Sequence, residues 1–351
     1  MFLTYKKPLN KIPFIELYEA MLQNKDITHM VDTFQEYNTI DIPALENEAL
    51  YNKYQLNNMI DKLKRLAYNC SQLTDLSYKT FQIPKASGGY RVISEPNDAL
   101  KKIQSKIKIV FERDLFLLPS NNAHGYTYNR SPKTAIEQHQ KNGSKWFLKL
   151  DIKNFFPSWN KELILQQLVS IFPFTYLLQN AEANEAISII LDTCLLDNAL
   201  PQGSPISPLL TNILMIPFDY KIQQALPKGY IYTRYADDML ISSKFKYNWQ
   251  SIDNMVKSII SPLNINSEKT RFGSSNGRNW NLGLMLNKDN DITIGWRTKK
   301  LLKATLTRYY LHNDSTINEH QLFGLISYYH MIEPDYINYI VEKYSKKFTT
   351  L

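Results

Sequence analysis

Apolar positions recur at helical spacing between about residues 14 and 75, as in Ile15-Glu-Leu-Tyr-Glu-Ala-Met21 and Leu56-Asn-Asn-Met-Ile-Asp-Lys-Leu-Lys-Arg-Leu66, and predict a helical N-terminal extension over 1–75. Near residue 80 the period shortens to two. Tyr78-Lys-Thr-Phe-Gln-Ile-Pro-Lys85 and Tyr90-Arg-Val-Ile-Ser94 read as strands, and Gly88-Gly89 between them is a hairpin signal. Leu100 to Val110 returns to helical spacing with one basic face. Lys145 to Asp151 is a strongly apolar strand ending in an acid, and 159–198 is mostly helical. Three prolines and a glycine then make a rigid loop, Ala199-Leu-Pro-Gln-Gly-Ser-Pro-Ile-Ser-Pro208, introducing a helix from Leu209. Two β-rich runs flank Asp237-Asp238, Ser251–Leu263 is an amphipathic helix, Trp280–Asn287 and Ile292–Ile294 are short strands, and the chain is helical from about Thr298.

Asp is a poor strand former and costly to bury, so Asp237 and Asp238 within Tyr230-Ile-Tyr-Thr-Arg-Tyr-Ala-Asp-Asp-Met-Leu-Ile-Ser-Ser243 break the local rules of a stable sheet. Such violations mark functional sites; the alternative is a hairpin turn carrying two solvated acids. Asp151 has two readings as well: an acid where a buried strand gives way to a loop can hold a hard cation, or it can cap a following helix. Phe156 places a bulky ring five residues on.

The chain has 351 residues, enough for two or three domains or lobes, and a net charge of +8. Beside 23 Tyr, 16 Phe and 5 Trp, that excess suits a partner with phosphates and bases. Two cysteines, far apart, and six scattered histidines suggest neither a disulfide framework nor a zinc site. The N-terminus lacks a signal-peptide pattern and no apolar run is long enough to span a bilayer, so a soluble, cytoplasmic protein without a membrane partner is expected.

The candidate chemistry follows from charge. Three carboxylates brought together from Asp151, Asp237 and Asp238 would repel one another unless cations neutralised them. With no His or Cys in these motifs the donors are all oxygen, which selects Mg2+ or Mn2+, and two such ions would activate a hydroxyl and stabilise a leaving pyrophosphate. Lys85 and Arg91, on either side of the Gly-Gly turn, could close on a triphosphate or belong to a solvated basic hairpin. Gln202 and the backbone at Gly203 stand at a helix entrance, where they could face a nucleotide. The loop His124-Gly-Tyr-Thr-Tyr-Asn-Arg-Ser-Pro132 could touch a template base or simply turn the chain. Lys299 and Lys300 open a basic, Tyr-rich C-terminal segment suited to a phosphate backbone.

Taken in order, Lys85 and Arg91 on a hairpin, Asp151-Ile-Lys-Asn-Phe-Phe, Leu200-Pro-Gln-Gly-Ser-Pro-Ile-Ser-Pro, Tyr235-Ala-Asp-Asp, the Lys269 loop and Leu282-Gly resemble reverse transcriptases over roughly residues 80 to 335. The resemblance implies an α+β right-hand polymerase: fingers over 76–145, a ferredoxin-like palm over 146–292 with a fingers insertion at about 160–198, and a helical thumb over 293–351. It implies RNA-directed DNA synthesis from dNTPs with two metal ions on Asp151, Asp237 and Asp238. Lys269 would be the acid for pyrophosphate departure, and Lys85 and Arg91 the triphosphate clamp. Gln202 would lie under the incoming nucleotide, Phe156 would crowd a ribose 2′-hydroxyl, Tyr235 would support the primer end, and Leu282 with Gly283 would form a primer grip.

Arg234-Tyr-Ala-Asp-Asp with Phe323-Gly-Leu-Ile-Ser-Tyr-Tyr-His-Met-Ile-Glu-Pro-Asp-Tyr336 looks like the bacterial branch of retron, group II intron and defence enzymes. Retron enzymes usually carry Val-Thr-Gly where this chain has Asn281-Leu-Gly283, and an Asn-Ala-x-x-His motif of which Asn180-Ala-Glu-Ala-Asn184 is an echo. Both departures favour a defence-associated or unassigned enzyme, a class that works with a dedicated noncoding RNA and in some cases as an oligomer or with partner proteins. The rival readings are a retron enzyme making msDNA, a catalytically silent RNA-binding scaffold, an RNA-dependent RNA polymerase, from which Phe156 discriminates, and a nucleotidyl cyclase, which would not need the basic, Tyr-rich C-terminal segment.

Overall fold

The computed structural model describes residues 53–349 apart from 86, 87, 116, 118, 275–279, 281, 282, 313 and 315; the helical expectation for residues before 53 lies outside them. The fold is α+β, and the chain divides into two compact units that it enters alternately. One comprises the described residues up to Tyr126 with Ile152–Ala225 and Val256–Asn264; the other comprises Thr127–Asp151, Leu226–Met255 and Ile265–Leu351.

In the first unit, helix α1 (Lys53–Ser71) lies along a later helix, α6 (Ala181–Cys194), because each carries one apolar stripe: Leu63, Leu66, Ala67 and Cys70 from α1 are buried, as are Ile187, Ile190 and Leu191 from α6. Strands β1 (Tyr78–Pro84) and β2 (Tyr90–Pro96) pair antiparallel, and Lys85 N–H donates to the Gly89 carbonyl across the turn. Gly88 and Gly89 have φ of 88° and 76°, which glycine adopts freely. Helix α2 (Asp98–Arg113) is capped by the Asn97 side chain, which accepts from the Leu100 N–H.

Gln104 on α2 is fully buried and satisfied on three sides. Its amide nitrogen donates to Tyr78 Oη and to the Thr193 carbonyl, and its oxygen accepts from Ser204 Oγ. That network ties the Pro-rich loop to α2 and β1. The loop leads into helix α7 (Ser207–Leu214), as its prolines predict.

The second unit is built on a four-stranded antiparallel sheet in the order β4 (Ile231–Tyr235), β5 (Asp238–Ser243), β3 (Trp146–Asp151), β6 (Arg271–Ser274). Helix α3 (Pro132–Lys141) opens with a capping box at Ser131 and Thr134 and packs on β4. Its buried His139 bridges Ser242 Oγ at 2.6 Å and Thr233 Oγ1 at 2.8 Å, pinning β5 and β4 to one helix. After the short pair β7 (Met285–Leu286) and β8 (Ile292–Thr293) come α10 (Gly295–His312), α11 (Glu319–Ile332) and α12 (Pro334–Thr349). Phe147 and Leu240 of the sheet share one core with Trp280, Leu302, Leu306, Leu322, Ile337 and Ile340. The remaining helices, α4 (Lys161–Leu168), α5 (Phe174–Leu177), α8 (Ile216–Ala225) and α9 (Trp249–Ile260), complete the two units. No helix among the described residues is long and apolar enough to cross a membrane.

Candidate active site

Strand register brings the acids together. β3 and β5 pair so that Asp151 stands directly opposite Asp238, and Asp237 occupies the two-residue turn joining β4 to β5. Directly paired residues project to the same face of a sheet with Cβ atoms about 5 Å apart. The other turn residue, Ala236, has φ of 56°, the sign that type II′ turns normally give to glycine. Arg234, buried on β4, donates from Nη1 to the Ala236 carbonyl at 3.1 Å and so braces that turn.

Each of two acids is met by a lysine. Lys269 Nζ donates to both oxygens of the buried Asp151, at 2.8 and 3.0 Å, and the Asp151 carbonyl accepts from the Asn266 N–H. Lys149 Nζ lies 3.0 Å from Asp238 Oδ1. Burial first, then Asp238 and Asp151, push the Asp237 carboxyl up to about 6. Burial raises Asp238 too, opposed by Lys149, and the hydrogen bond to Asp151 holds Lys269 above its ordinary value.

Two alternatives from the sequence fall here. Asp151 does not cap a helix: the next one, α4, is capped by Asn160. The Asp pair is not a solvated turn, since both carboxyls are partly buried and raised. Among the described residues no three His, Cys, Asp or Glu side chains form a metal cage, and two of the three acids are bonded to lysines. The donor chemistry nevertheless fits divalent ions: three carboxylates, all oxygen, crowded enough to repel, with protonation favoured at Asp237 where no lysine bonds it.

Lys85, Arg91, His124, Phe156, Gln202 and Gly203 belong to the first unit; Asp151, Tyr235, Asp237, Asp238, Lys269, Gly283, Lys299 and Lys300 belong to the second, and Leu282 lies outside the described residues. Lys85 and Arg91 are both exposed on the hairpin. The Gln202 carbonyl accepts from the Ser94 N–H at 2.7 Å, and a Cβ at Gly203 would lie 2.6 Å from the Ser94 carbonyl oxygen, so this glycine lets the Pro-rich loop touch β2. Phe156 is buried with its ring 6.4 Å from that of Tyr126. His124 is buried as well, and the exposed rings of its loop are Tyr126 and Tyr128. Lys299 is committed elsewhere, 2.5 Å from Glu333 and 4.4 Å from the Tyr336 ring centroid, whereas Lys300 stays exposed over Trp296.

Sequence reasoning missed Lys149 and Arg234. The signal for Lys149 was its place two residues before Asp151, hence on the same face of β3.

A sheet that sets an acid at one strand end against two at a neighbouring hairpin is the arrangement the resemblance to polymerases leads one to expect. Residues 83–309 match the reverse transcriptase (RNA-dependent DNA polymerase) family, and the chain belongs to that family. Its members copy an RNA template into DNA and depend on divalent metal. The retron Mx65 reverse transcriptase of Myxococcus xanthus is 28% identical over 270 residues, covering 74% of this chain and 62% of that one, so the chain spans less than two thirds of that relative. The retron Ec83 reverse transcriptase of Escherichia coli is 26% identical over 77% of this chain and 87% of its own. Among solved structures, telomerase from Candida albicans with a fragment of telomeric RNA covers 86% of this chain and 59% of that one at 14% identity, with a TM-score of 0.47.

Proposed function

We propose that this protein makes cDNA on a dedicated noncoding RNA in the bacterial cytoplasm, as part of antiphage defence. The observation that carries the chemistry is the pairing of Asp151 with Asp238 beside the turn that bears Asp237. Two divalent ions, Mg2+ or Mn2+, held by these three carboxylates would supply activation of the primer hydroxyl and neutralisation of the leaving pyrophosphate. Lys269, bonded to Asp151 in the structure, would in this reading turn to the pyrophosphate and donate its proton. In this reading Lys85 and Arg91 hold the triphosphate, Gln202 and Gly203 support the nucleotide, Phe156 excludes a 2′-hydroxyl and Tyr235 supports the primer end. Gly283 and Lys300 contact primer and template, as would Lys299, which is paired with Glu333, and the loop of the buried His124.

A second reading, a retron enzyme making msDNA, is supported by the retron relatives from Myxococcus and Escherichia. The two differ in the RNA copied, so sequencing the RNA and DNA that co-purify with the protein from its host separates them. For the chemistry, Asp237→Ala with Asp238→Ala should remove metal-dependent dNTP incorporation on a primed RNA template while RNA binding stays within about twofold; retained synthesis refutes the assignment.

A further inference from the structure

At the far end of the sheet from the acids lies a groove of about 560 Å3, lined by Trp146, Lys246, Tyr247, Trp249, Phe272 and Ser274 together with Asn248, Gln250 and Gly273. That volume lies within the roughly 300–1,000 Å3 range of small-ligand clefts. Trp146 begins β3 and Asp151 ends it, so five residues, about 16 Å of strand, separate groove from acids. The faces differ too. Asp151 and Lys149 project to one side of β3 and Trp146 and Leu148 to the other, and Phe272 pairs with Leu148. The groove is therefore no extension of the active site.

Its rings are arranged as a platform. Phe272 lies near-parallel to Trp146, with centroids 5.5 Å apart and planes at 21°, and to Trp249, at 6.2 Å and 22°. Tyr247 meets Phe272 edge-on at 5.1 Å. Rings packed only for stability would be buried, as Trp159 and Trp280 are at 0% exposure; Trp146, Tyr247, Trp249 and Phe272 are each half-buried. Lys246 sits 5.5 Å from the Trp146 centroid and is an exposed cation with no carboxylate within ion-pair distance among the described residues. β6 is the outer strand of its sheet, so the edge at Gly273 and Ser274 offers backbone hydrogen-bonding groups, and the Asn248 and Gln250 side chains add amides.

We infer that this groove binds an unpaired segment of the RNA molecule that the enzyme copies, stacking one or two bases on the Trp146–Phe272–Trp249 platform while Lys246 holds its phosphate. Parallel rings beside the unpaired Lys246 select a polymer that is both flat-ringed and anionic. A duplex keeps its bases stacked inside, so the segment is single-stranded. A second copy of this chain, itself carrying +8, would set like charge against this lysine. RNA is favoured over the DNA product because it is present before synthesis begins, whereas the product grows from the acids on the opposite face. The inference takes from the polymerase reading only that RNA is the template.

The test uses full-length protein preloaded with a short RNA–DNA template–primer, to which a labelled, unstructured ten-nucleotide RNA carrying 4-thiouridine is added. The RNA should quench tryptophan fluorescence and crosslink within 244–250 or to Trp146. Trp249→Ala should weaken its binding at least fivefold, as expected for loss of one base stack, Lys246→Glu should weaken it similarly, and Trp249→Phe should retain most of it. Extension of the preloaded primer should be unchanged in all three variants. Unaltered affinity in the Ala and Glu variants, crosslinks elsewhere, equal affinity for duplex RNA or for single-stranded DNA, or a groove covered only by a second copy would each overturn the proposal. A wild-type protein that extends primers but binds no added RNA refutes the groove alone; one that extends no primer refutes the polymerase reading.

Discussion

Asp237 stands on a turn where Ala236 takes a left-handed φ and Arg234 is buried beneath, so its carboxyl is held among other acids instead of swinging into water. Its folded-state pKa of about 6 is above the ordinary 3.8, so the native state binds this proton more tightly than the unfolded chain. The stability it contributes is fully present below about pH 4 and lost as pH rises through about 6. At pH 7.5 the charged group is thus a burden. Asp237→Asn should raise stability by about 2 kcal/mol in EDTA at pH 7.5, flatten the pH dependence between 4 and 6, and still abolish incorporation. Denaturant melts across that range check the sign; an Asn variant less stable than wild type at pH 7.5 would show that Asp237 is not destabilised by its neighbours.

Among elements, the contact between the Pro-rich loop and β2 is the most exacting. Gly203 has φ of 126°, and an added Cβ would lie 2.6 Å from a backbone oxygen and 2.9 Å from Ile93 Cγ2. Neither the strand nor the loop can yield cheaply, because Ser94 N–H is bonded to the Gln202 carbonyl and Ser204 to the buried Gln104. Gly203→Ala should therefore cost about 2 kcal/mol or more and lower the melting temperature, whereas Gly229→Ala, where a Cβ meets nothing within 4 Å, should cost only its backbone strain. What the sequence disclosed at this scale follows from where each signal is local. The hairpins at Gly88-Gly89 and Ala236-Asp237, strand β3 and the helix opening at Ser207-Pro208 are written in neighbouring residues. Helix α3 carries a local signal as well, the Ser131 cap followed by Pro132. Of the strand expected over Trp280–Asn287, the described residues form strand at Met285–Leu286, and Trp280 is wholly buried in the core of the second unit. The ion pair of Lys299 was not legible locally because its partner, Glu333, lies 34 residues further on.

At the scale of the molecule, the second unit depends on its C-terminus. Leu322 and Ile332 of α11 and Ile337 and Ile340 of α12 sit in one core with Phe147 of β3 and Leu240 of β5. A chain ending after His312 would expose that core, and its sheet should lose its cooperative transition and its protected amides in hydrogen exchange, while α1 and α6, packed in the first unit, keep theirs. A truncated chain with an unchanged sheet would show that those contacts are dispensable. The interleaving of the two units also bears on how the protein is born. Asp151 leaves the ribosome 87 residues before Asp238, the partner it faces. At about 5–20 residues per second, β3 waits roughly 4 to 17 s for β5, and β6 follows later still. Through that interval a strand of Trp, Phe and Leu has no neighbour in its own sheet, so the acids that define the enzyme are assembled only after most of the nascent chain has emerged, and synthesis rate and chaperone capacity bear directly on its yield.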